Sequence, residues 1–340
     1  MNWPTKIIQN KFVVLIFCLI FSFLLFSNTF QNDFVFDDIP VIRDNQILKD
    51  IKNLPKLFTS YYYHNPAGLY RPLQMVSYAI NYFLFGSDVW SFHFVNILLH
   101  GLNCWLLYLF IFKLTTNYFL AWLTCWFFLI LPIHTEAVTG LVGRAELLCF
   151  FFSFLTLLIL ISEQTKKWYL FLLNGCFFLA LLSKETAFSV IPICISIYIW
   201  RYGLKNIINF KNLKIIKNIS VLVFIFSIYL TIRYLVLGPY FLNNNATVVE
   251  NPLKFVSTLP RILTAFKVLS LYIWKIIFPI NLSSDYSYNQ IPIVESFNDT
   301  LVLVGIIFFS ILIYPTLRYI FSSQTSFLKQ KFNFNIFYFG

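Results

Sequence analysis

Leu131-Pro132-Ile133-His134-Thr135-Glu136-Ala137-Val138-Thr139-Gly140-Leu141-Val142-Gly143-Arg144-Ala145-Glu146-Leu147-Leu148 is the stretch whose reading decides the fold. It joins two apolar runs, 118–133 and 145–162, and crowds His134, Glu136, Arg144 and Glu146 into the connection between them. Runs of that length suit a bilayer core of roughly 30 Å. Lipid offers the backbone no hydrogen-bond partners, so the segment predicts two membrane helices joined by a tight polar turn.

Working outward, comparable runs lie at 12–28, 93–112, 168–183, 186–200 and 219–237, with two further candidates at 262–280 and 300–320. The expected fold is an all-α polytopic transmembrane helical bundle of about seven to nine spans. Composition agrees: 59% of the 340 residues are hydrophobic, 21% aromatic and only 11% charged, a balance that suits lipid rather than water as solvent. The run from Phe12 to Phe26 follows Lys6 and Lys11 and is read as a retained anchor, because no small-residue cleavage pattern follows it.

Lys6, Lys11, Lys113, Lys166, Lys167, Arg201, Lys205, Lys211, Lys214 and Lys217 fall on one side if the early spans alternate. By the positive-inside rule that side is cytosolic, which puts the N-terminus in the cytosol and segment 29–92 in the lumen. The net charge of +11 is thereby topological, and no nucleic-acid partner is expected. All six cysteines sit in or beside apolar runs and are read as small hydrophobes, not disulfide partners.

Segment 29–92 is too long and too aromatic for a passive linker. Within it, 72–85 predicts an interfacial helix with aromatic residues toward the headgroups and polar ones toward water. In the following span His93, Asn96, His100 and Asn103 share one helical face. That stripe suits an interhelical hydrogen-bond seam or a substrate-lining wall.

Three groups carry candidate chemistry. Asp37-Asp38 lies just beyond the first span between Phe34-Val35-Phe36 and Ile39-Pro40; it suits a general base for an acceptor hydroxyl, or a solvated acidic turn or helix cap. In the second, Arg144 suits an anionic phosphate, or a salt bridge to Glu136 or Glu146 that pins helix ends. Lys184-Glu185, between two spans, would add a second cation on the same face. A further segment, Ser284-Asp285-Tyr286-Ser287-Tyr288, stays luminal if 262–280 is interfacial or re-entrant.

Phe36-Asp37-Asp38, Tyr70-Arg71-Pro72-Leu73, Phe92-His93 through His100, Pro132 to Val138 with Val142 to Leu148, Leu182-Ser183-Lys184-Glu185, and Asp285 to Pro292 together resemble the transmembrane and tetratricopeptide-repeat-containing proteins. The likeness covers roughly residues 30–300, and the His-Thr-Glu-Ala-Val and Gly-Arg-Ala-Glu runs are its most specific part. It implies a GT-C-like glycosyltransferase domain over 1–320, its first luminal loop being 29–92, in the endoplasmic-reticulum membrane. The implied activity is inverting transfer of mannose from dolichyl phosphate mannose to Ser or Thr of secretory-pathway proteins such as cadherins.

By the same resemblance, Asp37 and Asp38 match the acidic pair of the first luminal loop and Arg144 the lipid-phosphate-binding arginine; the expected mechanism has one of Asp37 or Asp38 as catalytic base, with Lys184 or Arg71 helping Arg144 to bind the lipid phosphate. His134, Glu136, Glu185 and His93 are expected around the sugar or acceptor. No metal and no cofactor is expected beyond the lipid-linked donor. After the short basic tail 321–340 two alternatives stand: a chain cut short of its tetratricopeptide repeats, or a membrane-only relative of the family. A transporter, a scaffold or an inactive remnant is the alternative reading.

Overall fold

The computed structural model describes residues 8–62, 68–162, 167–203, 213–241, 247–249, 251–280, 282–283, 286 and 289–322. Asp285 and residues 323–340 of the tail lie outside the described residues. The described residues are helical and contain no strand. In chain order the helices are α1 (Lys11–Phe26), α2 (Pro72–Phe85), α3 (Val89–Thr115), α4 (Tyr118–Ile130), α5 (Thr135–Thr139), α6 (Arg144–Ser162), α7 (Lys167–Ser183), α8 (Val190–Tyr202), α9 (Leu213–Leu237), α10 (Thr258–Ile277) and α11 (Thr300–Ser322).

Four helical segments are long and apolar enough to cross a membrane: Lys11–Gln31, Val89–Thr115, Leu141–Ser162 and Ile215–Tyr240. The pair Tyr118–Ile130 and Pro132–Thr139, bent by 55°, makes a fifth if it counts as one span. Trp168–Ser183 and Thr300–Pro315 are apolar but shorter. Among the described residues, length and apolarity thus support fewer spans than the seven to nine expected. The run at 186–200 shows why. It is divided into a 3₁₀ turn, Glu185–Ser189, and the 13-residue α8, which at 1.5 Å per residue rises about 20 Å.

The described residues form two compact units, one from residues up to Ile130 and His134–Asn243, the other from Asn244 onward with Leu131–Ile133. In the first, α3 packs against α1, α4 and α6, and α6 against α7. Segment 29–62 folds through short 3₁₀ and π turns whose apolar residues, Phe34, Val41, Ile42, Leu48, Leu57 and Tyr62, bury against Met75, Tyr78 and Tyr82 of α2. The segment is therefore a small hydrophobic core of its own.

Helix α2 has the predicted bounds, with Pro72 in its first turn and Gly86 ending it at φ +68°. Phe83 and Phe85 are exposed as expected, but the polar residues do not face water. Gln74 and Asn81 are buried among protein groups, while Ile80, Phe83 and Leu84 point outward. An apolar exterior with polar groups turned inward suits a membrane surface better than the arrangement read from the sequence.

In the second unit α10 is amphipathic, with Arg261, Lys267 and Lys275 along it. Lys267 Nζ donates to Asp299 Oδ2 at 2.8 Å, Ser270 Oγ donates to the Leu301 carbonyl, and the Val294 amide donates to Thr264 Oγ1. Where α10 crosses α11 the backbones meet at Gly305: a Cβ there would lie 2.1 Å from the Phe266 carbonyl oxygen.

Candidate functional site

The polar stripe on α3 is a seam. His93, Asn96, His100 and Asn103 are all buried. Asn96 Nδ2 donates to the carbonyls of Val138, Gly140 and Leu141, and Asn103 Nδ2 to that of Leu147. His100 Nε2 is 3.4 Å from the Leu129 carbonyl. The ring nitrogens of His93 meet no hydrogen-bond partner among the described residues. Side-chain amides inside a membrane helix bundle gain most by closing on backbone carbonyls of neighbouring turns, and the stripe does this.

Residues Gly140–Gly143, at the head of α6, are gripped from several sides. Tyr78 Oη donates to the Leu141 carbonyl at 2.8 Å, and Gln74 Nε2 donates to the Val142 carbonyl at 2.7 Å and to Tyr78 Oη. The Val142 amide donates to Asp38 Oδ1 at 2.9 Å. Gly143 allows this turn to close: a Cβ would lie 2.3 Å from the Ala137 carbonyl oxygen.

Arg144 begins α6 just after that turn and is fully buried. Its Nε donates to Asn96 Oδ1 at 2.8 Å, Nη2 to the Phe92 carbonyl at 2.9 Å and to Asn81 Oδ1 at 3.2 Å, and Nη1 to the Ser77 carbonyl at 3.4 Å. The guanidinium also lies 4.7 Å from the Tyr78 ring centroid and 5.6 Å from that of Phe92. Neutral dipoles and aromatic faces solvate its charge. This arrangement bears on two expectations. Arg144 does not reach an open surface where a phosphate would sit, and it pairs with neither Glu136 nor Glu146. Glu136 is exposed, and Glu146 pairs with Lys184 instead.

The acidic pair is divided by burial. Asp38 is 2% exposed, with Oδ2 accepting from the Val35 amide at 3.3 Å and Oδ1 from Val142. Burial raises its proton affinity above that of an ordinary aspartate. Amides of Val142, Val35 and Leu141 partly oppose this, and the charge of Asp37 adds to it. Asp37 is exposed. The preceding Phe36 stands at φ +46° and is 82% exposed, so the turn presenting Asp37 holds a backbone conformation that aromatic residues rarely adopt.

Arg71, at the N-terminus of α2, meets Glu185 through Nη2–Oε1 at 3.1 Å and Nε–Oε2 at 3.3 Å, and lies 5.5 Å from the Tyr62 ring centroid. Burial pushes the Glu185 carboxyl up, but the hydrogen bonds and charge of Arg71 hold it below the usual glutamate range. Lys184, next in chain, pairs with Glu146. Glu146 also acts electrostatically on Arg71, and Asp37 on Tyr62, whose phenol burial pushes up to about 12. Asp37, Tyr62, Arg71, Glu146, Lys184 and Glu185 therefore form one electrostatic neighbourhood.

His134 goes elsewhere. Its ring lies 4.1 Å from Phe128 and 5.5 Å from His100, and no hydrogen bond or ion pair among the described residues links it to the Arg71–Glu185 pair. Tyr62, Gln74, Tyr78 and Asn81 were not singled out in the sequence. Only the spacing of Gln74 and Asn81 on α2, two turns apart among apolar residues, hints at a buried polar face.

A family model described as Protein O-mannosyl-transferase TMTC, DUF1736, matches residues 244–313. Protein O-mannosyl-transferase TMTC2 of Homo sapiens is 30% identical over 303 residues, covering 81% of this chain and 35% of that protein. Protein O-mannosyl-transferase TMTC3 of Homo sapiens is 30% identical over 309 residues, 82% of this chain and 33% of that protein. Protein O-mannosyl-transferase TMTC4 of Mus musculus is 29% identical over 348 residues, 84% and 46%. The chain spans about a third of the length of the first of these relatives. No solved structure matches.

Proposed function

The chain belongs to the TMTC family, and from that premise we propose that it is a membrane-embedded mannosyltransferase acting on protein Ser and Thr hydroxyls, with dolichyl phosphate mannose as donor, in the endoplasmic-reticulum membrane. The observation that carries the reading is that an exposed carboxylate, Asp37, and the Arg71 guanidinium both act on the Tyr62 phenol, while Arg71 and Lys184 are held by Glu185 and Glu146.

The chemistry is a single inverting displacement. Asp37 takes the proton of the acceptor hydroxyl as its oxygen forms a bond to the anomeric carbon. The bond from that carbon to the phosphate oxygen breaks, and its electron pair leaves with dolichyl phosphate, which gains a negative charge. Arg71 and Lys184 are the cations placed to stabilise that charge. Their carboxylate partners hold both side chains in position, and a phosphate oxygen competes with Glu146 and Glu185 for the same donors. Asp38 and Arg144 act as positioning residues: one ties the Asp37 turn to Val142, the other locks the head of α6 to α2 and α3. His93, His134 and Glu136 remain candidates for the sugar or acceptor side, with cadherin-like chains among the candidate acceptors.

Transfer of labelled mannose from dolichyl phosphate mannose in microsomes containing the full chain tests this. Wild type is expected to transfer and Asp37→Asn to be inactive. Equal transfer by both would remove the proposed base.

A further inference from the structure

Helix α9 carries a charge that the displacement above does not use. Arg233 lies in the span Ile215–Tyr240, four residues after Tyr229, so the two share a helical face. Its Nη2 donates to the Gly68 carbonyl at 2.8 Å and its guanidinium lies 5.5 Å from the Phe241 ring centroid. Its Nε is buried and has no acceptor among the described residues. Tyr229 is fully buried, and its hydroxyl is likewise without a partner there. A charged side chain in a bilayer span is expensive and marks function by default. Here two unsatisfied polar atoms accompany it one turn apart, each costing about 1–3 kcal/mol if left so.

Their surroundings point to the ligand. Arg233 adds to the field acting on Glu185, and the Tyr229 hydroxyl lies within the fields of Arg233, Glu185 and Arg71. The ring of Tyr229 is 6.2 Å from that of Tyr70, the neighbour of Arg71. Glu185 and Glu146 are paired with Arg71 and Lys184, whereas Arg233 makes no ion pair among the described residues and donates to a backbone carbonyl. A guanidinium edge and a phenol are both able to donate, so the complement is an anionic group rich in acceptor oxygens. Its setting within an apolar span favours a headgroup that arrives on a hydrocarbon chain.

We infer that Arg233, with Tyr229 beside it, is a second recognition point for the phosphate of a lipid-linked ligand, in addition to the donors already assigned. The inference rests on the mannosyltransferase reading, and it assigns to α9 a binding role distinct from the base.

The test is binding of dolichyl phosphate to the full chain in nanodiscs, for wild type, Arg233→Gln, Arg233→Lys, Tyr229→Phe and Asp37→Asn, with thermal unfolding measured on each. Arg233→Gln is expected to weaken binding about tenfold or more, Arg233→Lys less, and Tyr229→Phe about threefold. Asp37→Asn, which removes a negative charge, is expected to bind no more weakly than wild type. If Arg233→Gln does not fold, Arg233→Lys and Tyr229→Phe carry the comparison. Unchanged binding in the α9 variants, with transfer still lost in Asp37→Asn, overturns this inference and leaves the mannosyltransferase reading intact. No binding by wild type overturns both. Dolichol binding as tightly as dolichyl phosphate removes the phosphate from the assignment, and displacement by an equal concentration of inorganic phosphate removes the lipid.

Discussion

Arg71 closes on Glu185 through two hydrogen bonds, at 3.1 and 3.3 Å, joining the start of α2 to the α7–α8 connection across 114 positions of sequence. Both side chains are largely shielded, at 15% and 29% exposure, and paired forks of this kind add geometry as well as charge.

Because the Glu185 carboxyl is held below the usual range, its ionised form stabilises the fold at any pH above about 4.3, the ordinary glutamate value. That contribution is lost as pH falls through the depressed folded value. Thermal unfolding in detergent between pH 6 and pH 3 is expected to show a decline that Glu185→Gln flattens. A parallel decline in both proteins would mean that the pair does not contribute.

Asp37→Asn and Asp38→Asn are expected to separate chemistry from positioning. The first should lower transfer by about 10²-fold or more while unfolding at the wild-type temperature. The second removes a buried acceptor's charge and places an amide nitrogen against a backbone N–H, with loss of both activity and about 1–3 kcal/mol of stability. Identical melting of the two variants would argue against an anchoring role for Asp38.

Arg144→Ala would orphan Asn96 Oδ1 and Asn81 Oδ1 and empty a large buried volume. A loss of about 3–5 kcal/mol is expected, seen as poor recovery of folded protein. Arg144→Lys should recover only part of it, since an ammonium cannot span the same acceptors. Full stability in the alanine variant would show that the network contributes little.

Gly143→Ala puts a methyl against the backbone of Ala137 in the turn between α5 and α6. The neighbour is main chain and cannot swing aside, so a destabilisation of about 1–3 kcal/mol is expected, measurable as a lower midpoint of thermal unfolding. Wild-type stability in this variant would require the turn to open without penalty.

Much of this architecture is legible because lipid imposes so few solutions. Apolar runs marked α1, α3, α6 and α9, and Pro72 with Gly86 marked both ends of α2. The run at 186–200 is harder to read, because it carries its own interruption at Glu185–Ser189. The site was harder. An Arg after Gly at the head of an apolar run reads equally well as a surface cation or as the centre of a buried network; the partners that decide it, Ser77, Asn81, Phe92 and Asn96, come from two other helices. Asp37 and Asp38 are chemically identical neighbours, and the approach of Val142, 104 positions away, makes one a buried anchor while the other stays exposed.

The bond from Val142 to Asp38 also has a mechanical side. It ties the turn that presents Asp37 to the first residues of a membrane-crossing helix, so whatever tilts α6 drags the carboxylate with it. Tilting is one way in which a span longer than the local hydrocarbon thickness accommodates to it. The placement of the proposed base is in this way geared to the lipid around it, and the same chain reconstituted in short- and long-tailed lipids offers a direct way to watch that gearing.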